Sequence, residues 1–344
     1  MAQEIDSLRE IPASDILARL QRGESIEYNN VIITGDVNIS GLDLPRENES
    51  FIIYPAIEIK NSQIQGIFNF NNVIFEEEVN FVGTHFTANT SFMKAQFANF
   101  TDFTGAHFYR NAEFNSAQFD ESAIFNDCQF NGVTDFREAR FNGYAYFCKS
   151  QFSGWAYFSD AEFGMAAIFV EAEFNGVTDY MEAQFNGKVL TFRDAKFKDS
   201  RFKEYACRMA KNILEKNGDR EEAGYHFYCE MDAKRMQKPR YIRYPEYVFI
   251  QRIFGYGVHP WWLWAWWFFF VGIFAAIYWI GNGVIGAAQP LDYIWFSITV
   301  AVTPGFAGYK PTPGFFQVVA GLEAIFGTFM WAAFIATFAR KYMR

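Results

Sequence analysis

The sequence predicts a mixed β and α fold in which a β-solenoid is followed by a helical hairpin and by two helices long enough to cross a membrane. Three observations support this prediction. Large aromatic residues recur with an eleven-residue period through much of the first half of the 344-residue chain. Helical spacing of apolar residues replaces that period after about residue 202, and two long apolar runs follow near the end of the sequence.

The aromatic period is regular from Phe70 to Phe185. Steps of five and six residues alternate, and every member except Tyr180 is a phenylalanine. From position 95 a small residue stands two places before each member that ends a step of five. These small residues are Ala95, Ala106, Ala117, Cys128, Ala139, Ser150, Ala161, Ala172 and Ala183. A helix would scatter such a spacing around its circumference, whereas a solenoid directs one large and one small residue inward from each side.

The repeated units resemble pentapeptide repeats. S-A-Q-F-D at 116–120, D-A-E-F-G at 160–164 and E-A-E-F-N at 171–175 carry the resemblance. It covers residues 28–202, with an insertion at about 45–56, and implies a right-handed quadrilateral β-helix. The extra sixth residue in alternate units implies about 22 residues per coil instead of 20, and therefore about seven coils.

Both ends of the solenoid are predicted to be helical. In residues 1–27, the stretch from Pro12 to Gly23 places Ile16, Leu17 and Leu20 on one helix face, as expected of a capping helix. The first 25 residues lack the features of a signal peptide, so we expect this part to remain in the cytoplasm.

A helical linker is predicted for residues 203–244, because apolar residues at helical spacing are interrupted only by the breaker Asn217-Gly218-Asp219. The segment 245–259 then alternates apolar and polar residues as an interfacial helix would. Charge changes along the way. Residues 28–202 hold 23 acidic and 12 basic residues, whereas residues 203–260 hold 8 and 11.

Two membrane spans are predicted at 261–280 and 315–338. The first has no charged residue, and the second has only Glu323. Basic residues precede the first span and follow the second in the sequence. By the positive-inside rule, this places both ends of the chain in the cytoplasm. The basic residues are Lys234, Arg235, Lys238, Arg240 and Arg243 before the first span, and Arg340, Lys341 and Arg344 after the second. The 34 residues between the spans are too few to cross and return as helices, so this loop is expected to dip into the membrane.

Residues 260–344 resemble the two-transmembrane pore domain of potassium channels. The run Y-I-W-F-S-I-T-V-A-V-T-P-G-F-A-G-Y from Tyr293, then L-E-A-I-F-G and A-T-F-A-R-K, carries the resemblance. It implies a pore helix and filter within 290–309, a homotetramer, and filter support or gating at Glu323 and Gly327. The implied ion-filter residues are Thr303, Pro304, Gly305, Phe306 and Ala307.

Several residues depart from the family pattern. Pro304 lacks an N–H and has a fixed φ, and Ala307 has a Cβ where glycine's freedom is often needed. At the outer mouth, Gly308 replaces the usual acid and Lys310 is nearby. A channel with weak or altered selectivity is thus at least as plausible as a strict potassium channel, with K⁺ or Na⁺ as the permeant ion. Glu323 is equally consistent with a purely structural carboxylate, and a gating hinge at position 327 with close helix packing.

Other site chemistry finds little support in the sequence. Four cysteines without framework spacing are expected to be reduced packing residues. His226 and Cys229 are three apart on a predicted helix, but two ligands make no metal site. No nucleophile motif, phosphate loop or pair of catalytic acids occurs, so no enzyme is predicted and no cofactor is expected. The acidic solenoid is compatible with DNA mimicry, but a merely soluble surface is the preferred interpretation, and no nucleic-acid partner is expected.

The expected function is that of a tetrameric cation channel in a bacterial inner or plasma membrane. Its cytoplasmic solenoid would regulate or assemble the channel, with an unknown cytoplasmic protein or ligand as a further partner. The alternative is a pentapeptide-repeat interaction scaffold that the two spans merely anchor to the bilayer.

Overall fold

The computed structural model describes residues 8–258, 260–302 and 308–342, with side chains described up to position 339. The chain divides into two compact units, one ending at Gln237 and the other beginning at Lys238. The predicted fold class is confirmed, since a β-solenoid of about nine turns is followed by helices, two of which are long and apolar.

Four sheets form the sides of the solenoid, and a typical coil contributes one strand to each of them. The strands of successive coils pair in parallel. The first side has nine strands: Arg9–Pro12, Val31–Thr34, Gln63–Ile64, His85–Phe86, His107–Phe108, Gln129–Phe130, Gln151–Phe152, Glu173–Phe174 and Lys196–Phe197. The second has eight: Ile26–Asn29, Ile57–Lys60, Val79–Asn80, Thr101–Asp102, Ala123–Ile124, Ala145–Tyr146, Ala166–Ile168 and Val189–Thr191.

The other two sides complete the coil. The third side has seven strands: Val37–Asn38, Phe68–Asn69, Thr90–Ser91, Ala112–Glu113, Thr134–Asp135, Ala156–Tyr157 and Thr178–Asp179. The fourth has eight: Arg46–Glu47, Ser50–Ile53, Val73–Phe75, Gln96–Phe97, Gln118–Phe119, Arg140–Phe141, Glu162–Phe163 and Gln184–Phe185. The predicted insertion contains an antiparallel pairing of the first two strands on this fourth side.

Partner residues in adjacent coils are 22 positions apart, as Phe97 and Phe119 show. Their rings stack with centroids 4.7 Å apart and planes at 0°, which matches the spacing between neighbouring strands. The polar residues among the small residues listed above form hydrogen bonds to backbone carbonyl oxygens of the preceding coil. The Cys128 thiol donates to the Phe103 carbonyl oxygen over 3.0 Å, and the Ser150 hydroxyl donates to the Phe125 carbonyl oxygen. Burial raises the pKa of Cys128, as expected of a packing thiol.

The solenoid has about nine turns, so the expectation of about seven is wrong. At the start, Arg9–Pro12 forms a strand that pairs with Val31–Thr34, although only a capping helix is predicted there. At the end, the step of seven residues after Phe185 lengthens one coil without ending the ladder, because Glu173 pairs with Lys196. Helix α1, Ala13–Gln21, directs Ile16 and Leu20 into the core.

Two corners of each coil use a left-handed backbone, so this conformation recurs every eleven residues. Between positions 61 and 182 each member of this series has φ between 48° and 69°, and most of them are not glycine. The members are Asn61, Asn72, Gly83, Lys94, Gly105, Ser116, Asp127, Glu138, Lys149, Asp160, Glu171 and Glu182. This conformation recurs within each five-residue step and makes a tight turn there.

A helical hairpin follows the last coil. Helices α2, Ser200–Lys216, and α3, Arg220–Met236, pack against each other and bury Ala206, Ala210 and Ala233. Leu214 and Ala223 join the solenoid core, so the hairpin extends that core at the end of the ladder.

The second unit begins with α4, Arg240–Glu246, a π-helix at Tyr247–Ile253 and a 3₁₀ turn at Gly255–Gly257, where a single interfacial helix is predicted for 245–259. Three further helices form its body. They are α5, Pro260–Ile280, α6, Pro290–Val302, and α7, Phe315–Tyr342. A two-stranded antiparallel sheet joins Val284–Ile285 to Lys310–Pro311.

Candidate functional site

The candidate site is the segment between α6 and α7. The five predicted filter residues, 303–307, lie outside the described residues, so that prediction is untested. Their surroundings on both sides are described. Helix α6 reaches Val302 immediately before the segment, and Gly308 follows it with φ at +91°.

Helix α6 is held between the two long helices. Phe296 is fully buried, and its ring meets the Tyr278 ring of α5 edge to face with centroids 5.0 Å apart. Val300 belongs to the same apolar cluster as Val319 and Ala320 of α7. The short helix is therefore packed against both α5 and α7.

Glu323 connects all three helices through hydrogen bonds. Its side chain is on α7, and the residue is only 1% exposed. The Tyr278 hydroxyl of α5 donates to Glu323 Oε2 over 2.7 Å, and the Ser297 hydroxyl of α6 bonds to Oε1. Ser297 also lies 3.0 Å from the carbonyl oxygen of Val271. A buried carboxylate is costly unless its oxygens accept hydrogen bonds, so these two hydroxyls account for its stable position behind α6.

Gly327 allows α6 and α7 to approach closely. A Cβ added at this position would lie 2.2 Å from the carbonyl oxygen of Ala301, which any larger residue would displace. Ala301 is two residues before the predicted filter. The structure thus has the close helix packing at this position, and a gating hinge at Gly327 stays a prediction.

The N-terminal end of α6 is fixed by Asp292. This carboxylate accepts hydrogen bonds from the backbone N–H groups of Ala288 and Gln289, at 2.7 and 2.9 Å, and from the Tyr309 hydroxyl at 3.1 Å. Asp292 is the third residue of the helix and reaches back to N–H groups that precede the first turn, as the acid of a capping box does, and its charge suits a helix N-terminus. Because Tyr309 follows the predicted filter almost directly, the bond also ties the exit of that segment to the start of α6.

Lys310 lies in the two-stranded sheet opposite Ile285 and is exposed. Gly308 is exposed as well. Both residues predicted for the outer mouth are therefore at the surface of the second unit, on the α7 side of the filter segment.

One face of α7 carries large apolar side chains that this unit leaves uncovered. Phe315, Val318, Leu322, Ile325 and Phe329 alternate in steps of three and four residues and are 57 to 70% exposed. Such a stripe follows one side of a helix. The opposite side holds Glu323 and Gly327, so α7 has one face packed inside the unit and another that needs a further molecule.

Three residues of this arrangement were not identified from the sequence, namely Tyr278, Ser297 and Asp292. Polar residues within membrane-embedded helices are rare and usually have partners. A tyrosine and a serine in otherwise apolar helices were thus available signals, although the sequence does not say which acid each one faces.

Within the described residues, no group of three or more His, Cys, Asp or Glu side chains is placed to hold a metal ion. His226 is fully buried on α3, where Nε2 lies 3.3 Å from the Thr191 hydroxyl and 3.6 Å from Glu222. All four cysteines are free thiols.

Comparison with protein families identifies a match in the solenoid. The family described as "Pentapeptide repeats (9 copies)" matches residues 114–162, which lie within the solenoid. The chain therefore carries pentapeptide repeats in its β-solenoid. Searches of curated proteins and of solved structures find no match. By length and composition, Pro260–Ile280 and the residues from Phe315 to Ala339 could each span a membrane.

Proposed function

We propose that the chain is one subunit of a homotetrameric cation channel in which residues 303–307 line the ion path. The pore is potassium-channel-like with an altered filter, and the pentapeptide-repeat solenoid is a cytoplasmic part that regulates or assembles it. The observation that carries the proposal is the position of α6, a short helix packed between two apolar helices and ending directly before the segment 303–307.

The length and direction of α6 support a pore. Thirteen residues make a helix of about 20 Å, which is shorter than the roughly 30 Å of a bilayer core. A segment that dips into the membrane without crossing it needs protein or water around its irregular backbone. The carboxyl end of a helix carries partial negative charge, which favours a cation beside it. Helix α6 presents that end to residue 303.

The uncovered face of α7 supports an oligomer. One chain supplies a quarter of a four-fold filter, and copies packed around one axis would cover the stripe from Phe315 to Phe329. Contact between Gly327 and Ala301 ties α6 to α7, so movement of α7 would be transmitted to the filter. This gives the solenoid and hairpin a way to act on the pore through the helices that follow them.

The residues around the filter support weak or altered selectivity among monovalent cations. Pro304 and Ala307 change the backbone that would coordinate the ion. The exposed ammonium of Lys310 would repel cations at the mouth, where an acid would attract them. We expect K⁺ and Na⁺ both to pass, in the inner or plasma membrane of a bacterium, with both ends of the chain cytoplasmic.

Ion flux into liposomes tests the proposal. Gly305→Trp should abolish K⁺ flux, because an indole in the filter would occlude a path only wide enough for a dehydrated ion. Gly272→Trp is the matched control, since Gly272 is on α5, a Cβ added there would meet only open space, and flux should be unchanged. Equal flux through the wild type and Gly305→Trp would remove the filter assignment.

Mass measurement in detergent separates a channel from an anchored scaffold. A channel requires four copies of the 39.8 kDa chain in one particle, whereas a scaffold can remain a monomer. A monomeric particle without flux would favour the scaffold. Recording single channels under K⁺ on one side and Na⁺ on the other then measures the selectivity.

A further inference from the structure

The helical hairpin contains two cysteines that face each other. Cys207 is on α2 and is 2% exposed, whereas Cys229 is on α3 and is half-buried. Each thiol shifts the pKa of the other, and the charge of Lys203 acts on both, as expected of cysteines at neighbouring positions on the two helices. Neither thiol has a part in the channel proposed above.

Ion pairs close to the cysteines fix the register of the two helices. Lys203 Nζ lies 3.0 Å from Asp232 Oδ2, and Arg208 Nε lies 3.0 Å from Glu230 Oε1. Each pair joins a residue near Cys207 to a residue near Cys229. The buried alanines Ala206, Ala210 and Ala233 have no bulk to separate the helices. A disulfide needs two Cα atoms about 4.4–6.8 Å apart, and close packing through small residues is what brings helices toward that separation.

The surroundings make the two thiols chemically unequal. The interaction with Cys207 lowers the pKa of Cys229 against the effect of burial, and Lys203 and the Tyr225 hydroxyl lower it further. The same interaction and burial raise the pKa of Cys207. Cys229 is also the more accessible of the two. An accessible thiol with a lowered pKa is the one that oxidants attack first.

We propose that Cys207 and Cys229 form a reversible oxidation site, in which a hydroperoxide oxidises the pair to an intrachain disulfide. The Cys229 thiolate attacks a peroxide oxygen and becomes a sulfenic acid, while the peroxide O–O bond breaks and water is released after proton uptake. The Cys207 sulfur then displaces the sulfenic oxygen as a second water, and the S–S bond forms. In sum, two thiols and one hydrogen peroxide give one disulfide and two waters. A small-molecule dithiol reverses the reaction and is itself oxidised.

The disulfide would lock α2 to α3 directly after the last coil. In a reducing compartment such a bond forms only when oxidant is present, so the hairpin would be fixed under peroxide and free to open without it. Cys128 is fully buried in the solenoid core and is expected not to react.

Thiol mapping of the full chain in detergent tests this proposal. After reduction, the protein is treated with a small excess of hydrogen peroxide, blocked with maleimide and digested without reductant for mass spectrometry. We expect loss of two reactive thiols and a peptide linking positions 207 and 229 within one chain, both reversed by dithiothreitol. Cys148→Ser should give the same cross-link.

The variant Cys207→Ser separates the two steps. It should leave Cys229 as a sulfenic acid that dimedone traps, with no cross-link. Wild-type protein that accumulates dimedone at Cys229, keeps all its thiols, or cross-links only between chains would overturn the proposal. A variant that combines Cys207→Ser and Cys229→Ser should keep the wild-type melting curve, which would exclude misfolding as the reason for a lost cross-link.

Discussion

The solenoid and the second unit use aromatic and aliphatic residues in opposite ways. In the solenoid, Phe125, Phe136 and Phe147 are fully buried by the chain's own coils. In the second unit, α7 leaves the stripe from Phe315 to Phe329 largely exposed. The first region completes its core alone, whereas the second has apolar surface that only lipid or another copy can cover. Apolar content alone therefore does not indicate which surfaces are interior.

Buried polar groups show the same contrast. In the solenoid, Cys128 and Ser150 bond to backbone carbonyl groups one coil away, at a separation set by the repeat. In the second unit, Glu323 is satisfied by Tyr278 and Ser297, which are 45 and 26 positions away on two other helices. The repeat determines the first kind of contact, and tertiary packing determines the second.

The largest effect is expected from the phenylalanine core. Phe136→Ala should destabilise the solenoid by about 3–5 kcal/mol, because the stacked rings on both sides cannot collapse into the space. Urea unfolding followed by circular dichroism measures the loss. Trp155→Ala is the control, since this side chain is 52% exposed and should change stability by less than about 1 kcal/mol. Equal losses would contradict a core closed within the chain.

Acid should lower the free energy of unfolding of the helical hairpin, because His226 of α3 is buried in a neutral form. Burial lowers the pKa of His226 from 6.5 to about 4, with Glu222 opposing and Arg193 adding to that effect. The unfolded chain therefore binds the proton more tightly, and stability is lost as the pH falls from about 6.5 toward 4. The loss amounts to about 3 kcal/mol when complete.

Thermal unfolding between about pH 7 and 5 measures this dependence before the nearby carboxylates titrate. Hydrogen bonds from Lys234, Lys211 and Arg208 outweigh the effect of burial and hold the pKa of Glu230 at about 2, so its contribution is lost only at lower pH. His226→Gln should flatten most of the slope. A remaining slope is expected from His107, whose pKa is lowered by burial and by His85.

In the second unit, removing the Glu323 carboxylate should cost less. Glu323→Ala leaves the Tyr278 and Ser297 hydroxyls without their acceptor and should destabilise the unit by about 1–3 kcal/mol. Glu323→Gln retains an acceptor and a similar shape, so it should be closer to the wild type. Melting temperature in detergent distinguishes the two variants. If they melt alike, Glu323 does not hold the three helices together.

Sequence reasoning succeeded where one repeat determines many contacts. The Phe ladder and the small-residue column follow from spacing, and the structure confirms both in the buried core. Sequence reasoning missed the left-handed corners, because Lys94, Ser116 and Glu138 are not residue types that normally indicate this backbone conformation. Glycines at 83 and 105 share the period and were the available clue. In the second unit the position of Glu323 behind α6 follows from the resemblance, but its partners depend on helix packing that spacing alone does not specify.

The smallest change in stability is expected at the left-handed corners. There, alanine substitution can be compared between a glycine in the left-handed region and one outside it. Gly105 has φ at +69°, and an added Cβ would meet only ordinary contacts at 3.8 Å. Gly105→Ala should therefore cost about 1 kcal/mol through backbone strain alone. Gly41→Ala is the control, because Gly41 has open space and lies outside the left-handed region, so alanine should stabilise by about 0.4–1 kcal/mol.

The reverse substitution separates strain from packing. Lys149 is exposed and has φ at +58° in the same series. Lys149→Gly relieves backbone strain of about 1 kcal/mol in the folded state. Glycine also raises the conformational entropy of the unfolded chain, which stabilises the unfolded state by a similar free energy. The midpoint of urea unfolding should therefore hardly move. A clear loss on Lys149→Gly would mean that the lysine side chain, and not the backbone turn, stabilises this corner. A gain at Gly105→Ala would contradict the left-handed turn itself.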